Sequence, residues 1–149
     1  MDEVALPHAV EPDQWFVVFH PEAKSRWLSL LACGHFKHVS AFAYCPGFKA
    51  WLIYDAQWCG LRLMLFPHGD VAKAAIAAHT KNCTILKMTR ANQSMGLSSR
   101  LGLYCVSTVK HLLVVRCRAI RPDTLYRHLL KIGAVRVDEG VNSANPGRP

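Results

Sequence analysis

Three residues of this chain carry side chains that can act together in nucleophilic catalysis: His38, Asp55 and Cys105. A carboxylate can accept a proton from an imidazole N–H and thereby fix its tautomer. The imidazole can then take the proton of a thiol, and the thiolate that forms attacks carbonyl carbon. These residues are therefore the first candidates for a catalytic site.

His38 and Asp55 are predicted to lie on the two strands of a hairpin, residues 38–44 and 50–56, which flank a Pro-Gly turn signal. Counting outward from that turn places 44 near 49 and 38 opposite 55. Directly opposed side chains have Cβ atoms about 4.5–5.5 Å apart, close enough for a hydrogen bond. The alternative is a structural His–Asp hydrogen bond, or a solvent-facing pair at a strand end.

Cys105 follows a polar loop and stands at the start of a predicted helix over 104–115. The dipole of that helix and a nearby imidazolium would both favour a thiolate at this position. The competing interpretation is a core residue, because Cys105 shares an apolar helical stripe with Val109 and Leu112.

The remaining patterns alternate between short β-branched runs and helical spacings, which indicates an α+β fold with an antiparallel meander sheet packed against helices. Asp123 is expected to cap the last helix and Gly133 to end it. The predicted domains are an N-terminal arm over 1–13, a single domain over 14–137 and a flexible tail over 138–149. Within the domain, the further strands are 14–20, 60–66 and 83–89, and the further helices are 22–31, 68–79 and 124–132.

The order of these features resembles a known family. A histidine strand, an aspartate strand, further strands and then the helix Tyr104-Cys105-Val106-Ser107-Thr108-Val109-Lys110 look like a circularly permuted papain-like fold. Permuted bacterial cell-wall amidases and small tailed-phage proteins share that arrangement, in which the cysteine helix follows the histidine. The resemblance spans about residues 35 to 115.

The resemblance implies a thiol-dependent amide hydrolase, a peptidase or amidase, acting on peptide or cell-wall substrates without a metal or organic cofactor. Cys105 would be the nucleophile, His38 the general base and Asp55 the residue that orients it. Gln57 is a second candidate for orienting the histidine. The backbone N–H of Cys105 could hold the oxyanion, with Ser99, Gln93 or Tyr104 as candidate side chains. The implied locations are the host cytoplasm or the virion.

The charge is concentrated in the middle of the chain. The net charge is +8, but residues 24–121 hold fourteen basic residues and only two carboxylates, a net +12. Such a field favours non-specific binding to polyanions. It also supports the alternative of a non-catalytic phage virion or assembly protein, whose basic surface contacts neighbouring subunits or nucleic acid.

Cysteine spacing argues against a disulfide scaffold, because the six cysteines are spread along an apolar chain, and most of them are expected to be reduced. A zinc site is the competing metal hypothesis, and it would make His38 unavailable as a base. Its ligands would be Cys33, His35 and His38, with Cys45 or Cys59 as the fourth. No apolar run reaches the roughly 18 residues of a membrane-spanning helix, and the first residues lack a secretion signal pattern.

Overall fold

The computed structural model describes residues 12, 14–22, 34–57, 60–89 and 104–137. Within them, six strands form one antiparallel sheet accompanied by three helices, which confirms the α+β prediction. The strands are β1 Gln14–His20, β2 His38–Cys45, β3 Ala50–Gln57, β4 Gly60–Pro67, β5 Thr84–Thr89 and β6 Val135–Val137. The helices are α1 Asp70–Thr80, α2 Cys105–Leu112 and α3 Pro122–Lys131.

The strands lie in the order β4-β3-β2-β1-β5-β6. The first four form the predicted meander, and β5 returns to pair with β1 on its free side. The short strand β6 was not predicted, because three residues are too few to show an alternating pattern. This order places β1 and β2 inside the sheet, so their last and first residues, respectively, meet at one end of it.

The predicted register of the β2–β3 hairpin is wrong by two residues, since Tyr44 pairs with Trp51 and Ala41 with Tyr54. The cause is the turn. It has the predicted length of four residues but lies one residue later in the chain. It comprises Pro46–Phe48, which form a 3-10 helix, and Lys49, which adopts a left-handed conformation with φ of 46°. A shift of two keeps each side chain on its original face. His38 and Asp55 therefore still share a face, but as diagonal neighbours.

Helices cover both faces of the sheet. On one face, Val106 of α2 and Leu125 of α3 pack with strand residues such as Phe19 and Val39 in the larger buried cluster. On the other face, a smaller cluster of Val18, Phe42 and Ile53 packs against Ile76 of α1. Both β1 and β2 contain continuous runs of buried residues. Because successive side chains of a strand point to opposite faces, each strand supplies both cores.

Asp123 joins α3 to the chain that enters β2. It is not the predicted cap, because Arg121 is the N-cap and Pro122 takes the first helical position. Its carboxylate instead accepts hydrogen bonds from the backbone N–H groups of His35, at 3.1 Å, and Phe36, at 3.3 Å. Gly34 has φ of 133°, and a Cβ atom there would collide with this carboxylate. Asp123 thus holds the turn that leads to His38.

Other sequence predictions differ from the structure or lie outside it. Helix α2 ends at Leu112 rather than at 115, because Val114 has a positive φ of 57°. Apart from Glu22, the predicted helix over 22–31 lies outside the described residues, and so does the N-terminal arm apart from Pro12. The tail over 138–149 and the polar loop over 92–99, which precedes Cys105, lie outside them entirely. Among the described residues, no helix is long and apolar enough to span a membrane. The cysteines there, Cys45, Cys83, Cys105 and Cys117, are free thiols.

Replacing Asp123 by Ala should destabilise the fold, because two backbone N–H groups lose a charged acceptor. The expected loss in the free energy of unfolding is about 1–2 kcal/mol by urea denaturation. Asp70→Ala is the matched control. Asp70 is exposed, and within the part of the chain that the structure describes it forms an ion pair with Lys73, which is also exposed. Equal stability of the two variants would contradict the role given to Asp123.

Candidate active site

His38 and Asp55 form a direct contact at one end of the sheet. His38 is the first residue of β2, and Asp55 lies two residues before the end of β3. The distance from His38 Nε2 to Asp55 Oδ1 is 2.6 Å. The contact expected from the sequence is present, although the diagonal geometry differs from the direct opposition that the predicted register implied.

Asp55 is held in place from a second direction. Its side chain is almost fully buried, and Gln57 donates a hydrogen bond from Nε2 to Asp55 Oδ2 at 2.9 Å. A buried carboxylate is costly unless hydrogen bonds compensate for lost hydration. Gln57, predicted as an alternative orienting residue for His38, therefore acts on Asp55 and fixes the oxygen that does not contact His38.

Cys105 approaches His38 from the start of α2. It is the first residue of that helix and is half-buried, and its side chain lies close enough to His38 to raise the pKa of that histidine. The structure therefore brings together all three of the predicted residues. Backbone N–H groups in the first turn of a helix have no acceptor within the helix, so the N–H of Cys105 is available to an oxyanion.

The first turn of α2 is fixed by side chains that the sequence analysis did not single out. The carbonyl oxygen of Tyr104 accepts hydrogen bonds from the Ser107 hydroxyl, at 2.8 Å, and from the Thr108 hydroxyl, at 3.0 Å. It also accepts the Thr108 backbone N–H at 3.1 Å. Hydroxyl residues three and four positions after the N-cap residue Tyr104 were the available signal. These bonds set the position of Cys105.

The pKa of His38 reflects opposing influences. Burial alone would lower it, because desolvation disfavours the imidazolium. The hydrogen bond to Asp55 and the charge of that carboxylate, together with the interaction with Cys105, outweigh this and raise the pKa from 6.5 to about 9. Neutral pH lies below this pKa, so the side chain of His38 is protonated there and is an imidazolium.

Tyr104 lies beside this site with its phenol neutral. Burial raises the pKa of Tyr104, the charge of Cys105 raises it further, and Arg121 opposes both. A neutral phenol can donate a hydrogen bond, so Tyr104 remains a candidate donor to an oxyanion. The other two candidates, Ser99 and Gln93, lie outside the described residues.

The zinc hypothesis gains no support from the part of the chain that is described. No group of three or more histidine, cysteine or acidic side chains converges there as a metal site would require. His38 is bonded to Asp55, and Cys45 lies at the opposite end of β2. Cys33 and Cys59 lie outside the described residues.

Comparison with protein families, curated proteins and solved structures gives no match for this chain. The papain-like resemblance therefore stays a prediction. What can be said of function rests on the contacts among His38, Asp55 and Cys105.

Removing the charge of Asp55 should lower the pKa of His38. In Asp55→Asn the burial of His38 persists while the carboxylate is lost, so the pKa should fall by more than about one unit. NMR titration of the imidazole measures this directly, with Asp70→Asn as a control at an exposed carboxylate. An unchanged pKa in Asp55→Asn would contradict the assigned cause.

Stability should depend on pH through the same histidine. Its pKa is about 9 in the folded protein and 6.5 when unfolded, so folding favours the protonated form. The stabilisation is complete below 6.5, declines as the pH rises and is lost above about 9. The free energy of unfolding of the wild type relative to His38→Gln should therefore fall across this range in urea denaturation. A constant difference would refute the linkage.

Proposed function

We propose that this protein is a thiol-dependent amide hydrolase, a peptidase or amidase of the permuted papain-like type. The observation that carries the proposal is that His38 hydrogen-bonds to a buried carboxylate and that its pKa is raised by a thiol at the start of a helix. Each contact has a role in thiol catalysis, and the two converge on one imidazole. A histidine that served only the core would not need both.

In the proposed resting state the Cys105 proton has moved to His38. The thiolate attacks the carbonyl carbon of the substrate, and the resulting oxyanion is held by the backbone N–H of Cys105. His38 then protonates the leaving amine, and a thioester between Cys105 and the acyl group remains. Neutral His38 takes a proton from water, the hydroxide displaces the thiolate, and a carboxylic acid is released.

Asp55 is a positioning residue in this scheme and exchanges no proton. Its carboxylate stabilises the imidazolium and directs one ring nitrogen toward itself, which leaves the other for the thiol. Gln57 prevents the carboxylate from rotating away. The raised pKa of His38 also suits protonation of the leaving amine, because the imidazolium already carries the proton that the amine takes up.

The proposed substrate class is a peptide, with cell-wall peptides as the first candidates. The class comes from the family resemblance, and the charge of the chain is compatible with it. A net charge of +12 over residues 24–121 attracts anionic polymers such as those of cell walls. Action from the host cytoplasm or from the virion belongs to the same proposal.

A structural role in a phage particle is the second candidate, favoured by the edge strand β4. Leu61, Leu63 and Leu65 alternate along this strand and are each more than half exposed. Apolar side chains in a row at a sheet edge are typical of a surface that contacts another protein chain. In that case other virion subunits are the partners, and the Cys105 site need not turn over.

Cys105→Ala should abolish hydrolysis without unfolding the protein, because the site loses its nucleophile. Cys105→Ser should lose nearly all activity, and Asp55→Asn should lose on the order of a hundredfold or more through misorientation of His38. The assay is release of free amine from cell-wall peptides. Cys117→Ser is the control, since Cys117 is also a partly buried free thiol.

Two results would contradict the proposal. Full turnover in Cys105→Ala would exclude the thiol mechanism. A folded wild type that hydrolyses no member of a broad peptide and thioester panel would favour the structural role.

A further inference from the structure

A second group of chemically active side chains lies next to His38. His20, the last residue of β1, pairs with His38 across the strands, and the two ring centroids are 5.2 Å apart. His20 Nδ1 lies 3.2 Å from Cys83 Sγ, and His20 Nε2 lies 2.8 Å from Ser40 Oγ. Ser40 Oγ is also 2.8 Å from His79 Nε2. We call His20, Ser40, His79 and Cys83 the His20 cluster.

The hydrogen bonds of the His20 cluster suit an ion pair between His20 and Cys83. A hydroxyl carries one proton, so Ser40 can donate to only one of its two imidazole neighbours and must accept from the other. If Ser40 donates to His79, it accepts from His20 Nε2–H. The second N–H of a protonated His20 then points at the Cys83 sulfur. Each of these contacts thus has one donor and one acceptor in the thiolate–imidazolium form.

Ser40 makes this arrangement rigid. Its side chain is buried, and a buried hydroxyl is stable only when it is hydrogen-bonded. His20 can therefore rotate only by breaking its bond to Ser40. The imidazole is held with Nδ1 toward the sulfur, as a base must be to take a thiol proton.

Cys83 also faces space that a small reagent can enter. The residue is half-buried and, with His20, His79 and Lys81, lines a cavity of about 300 Å³. Lys81 favours a negative sulfur, and Glu22, also on the lining, opposes it. The backbone carbonyls of Lys81, at 3.4 Å, and His79, at 3.9 Å, are acceptors for the thiol form. The nitrogen of His20 is closer than either.

The positive charge on His38 disfavours a second positive charge on the neighbouring His20, and the negative charge of Asp55 reduces this repulsion. The Asp55 carboxylate is hydrogen-bonded to Nε2 of His38, so its negative charge offsets the positive charge of His38. The His20 cluster does not resemble a metal site, since no metal-binding group of three or more side chains is found among the described residues.

From this geometry we propose that Cys83 is a second reactive thiol, a site of reversible oxidation by small hydroperoxides. It is independent of the hydrolytic function proposed for Cys105. In the cluster the thiolate of Cys83 is the reductant and His20 supplies the proton.

The oxidation step balances without a further reagent. The thiolate attacks one oxygen of the hydroperoxide, the S–O bond forms and the O–O bond breaks. The departing oxygen takes the proton of the His20 imidazolium and leaves as water or an alcohol. The cysteine, oxidised by two electrons, is left as a sulfenic acid. One small thiol then converts it to a mixed disulfide with loss of water, and a second thiol releases the cysteine and leaves as the oxidised disulfide.

The test treats the intact protein with hydrogen peroxide in the presence of dimedone, which traps sulfenic acids, and quantifies each cysteine by peptide mass spectrometry. Cys83 should be labelled more than about tenfold faster than Cys117, the partly buried control thiol. His20→Asn should reduce labelling of Cys83 to the level of Cys117, because the amide cannot serve as a base. Ser40→Ala should reduce it in part.

Equal labelling of Cys83 and Cys117 in the wild type would overturn the proposal, and this comparison does not depend on any variant folding. Unchanged labelling in folded His20→Asn would also overturn it. Cys105→Ala separates the two sites. Labelling of Cys83 in that variant should persist whether or not hydrolysis is lost, so failure of either proposal can be recognised without the other.

Discussion

The buried carboxylate of Asp55 is the constraint on which the rest of this structure depends. An isolated charge in the interior of a sheet would cost several kcal/mol, so it requires polar partners on both oxygens. His38 supplies one partner from the neighbouring strand β2, and Gln57 supplies the other from β3 itself. The pairing of β2 with β3 thereby becomes part of the site, since a one-residue slip would move Asp55 to the other face.

Most of the sheet and the central contact could be predicted from the sequence, and the reasons are physical. The predicted β2–β3 register is wrong by two residues, yet His38 and Asp55 still meet. A shift of two residues keeps both side chains on the same face of the sheet, and an imidazole can reach a diagonal neighbour. The contacts of Asp123 with His35 and Phe36 could not be foreseen. They join residues far apart in sequence, and an acidic residue near a helix start is ordinarily explained by local capping.

The same end of the sheet brings two thiol–imidazole pairs together. His20 and His38 are partners across β1 and β2, and each faces its own cysteine, Cys83 or Cys105. Different supports hold the two rings: a carboxylate for His38 and a hydroxyl shared with His79 for His20. A carboxylate that hydrogen-bonds to a histidine raises the pKa of that histidine strongly, whereas a hydroxyl mainly fixes the orientation of the ring. The two proposed sites therefore share one framework but hold their histidines in different ways.

Alkylation of Cys105 by iodoacetamide in the native protein, followed by peptide mass spectrometry, tests the central claim most directly. The proposed imidazolium–thiolate pair of His38 and Cys105 predicts that at about pH 6.5 Cys105 reacts more than about tenfold faster than Cys117. It further predicts that His38→Ala removes this advantage. If Cys105 reacts only once the protein is unfolded, or equally fast without His38, Cys105 is a core residue and the account is wrong.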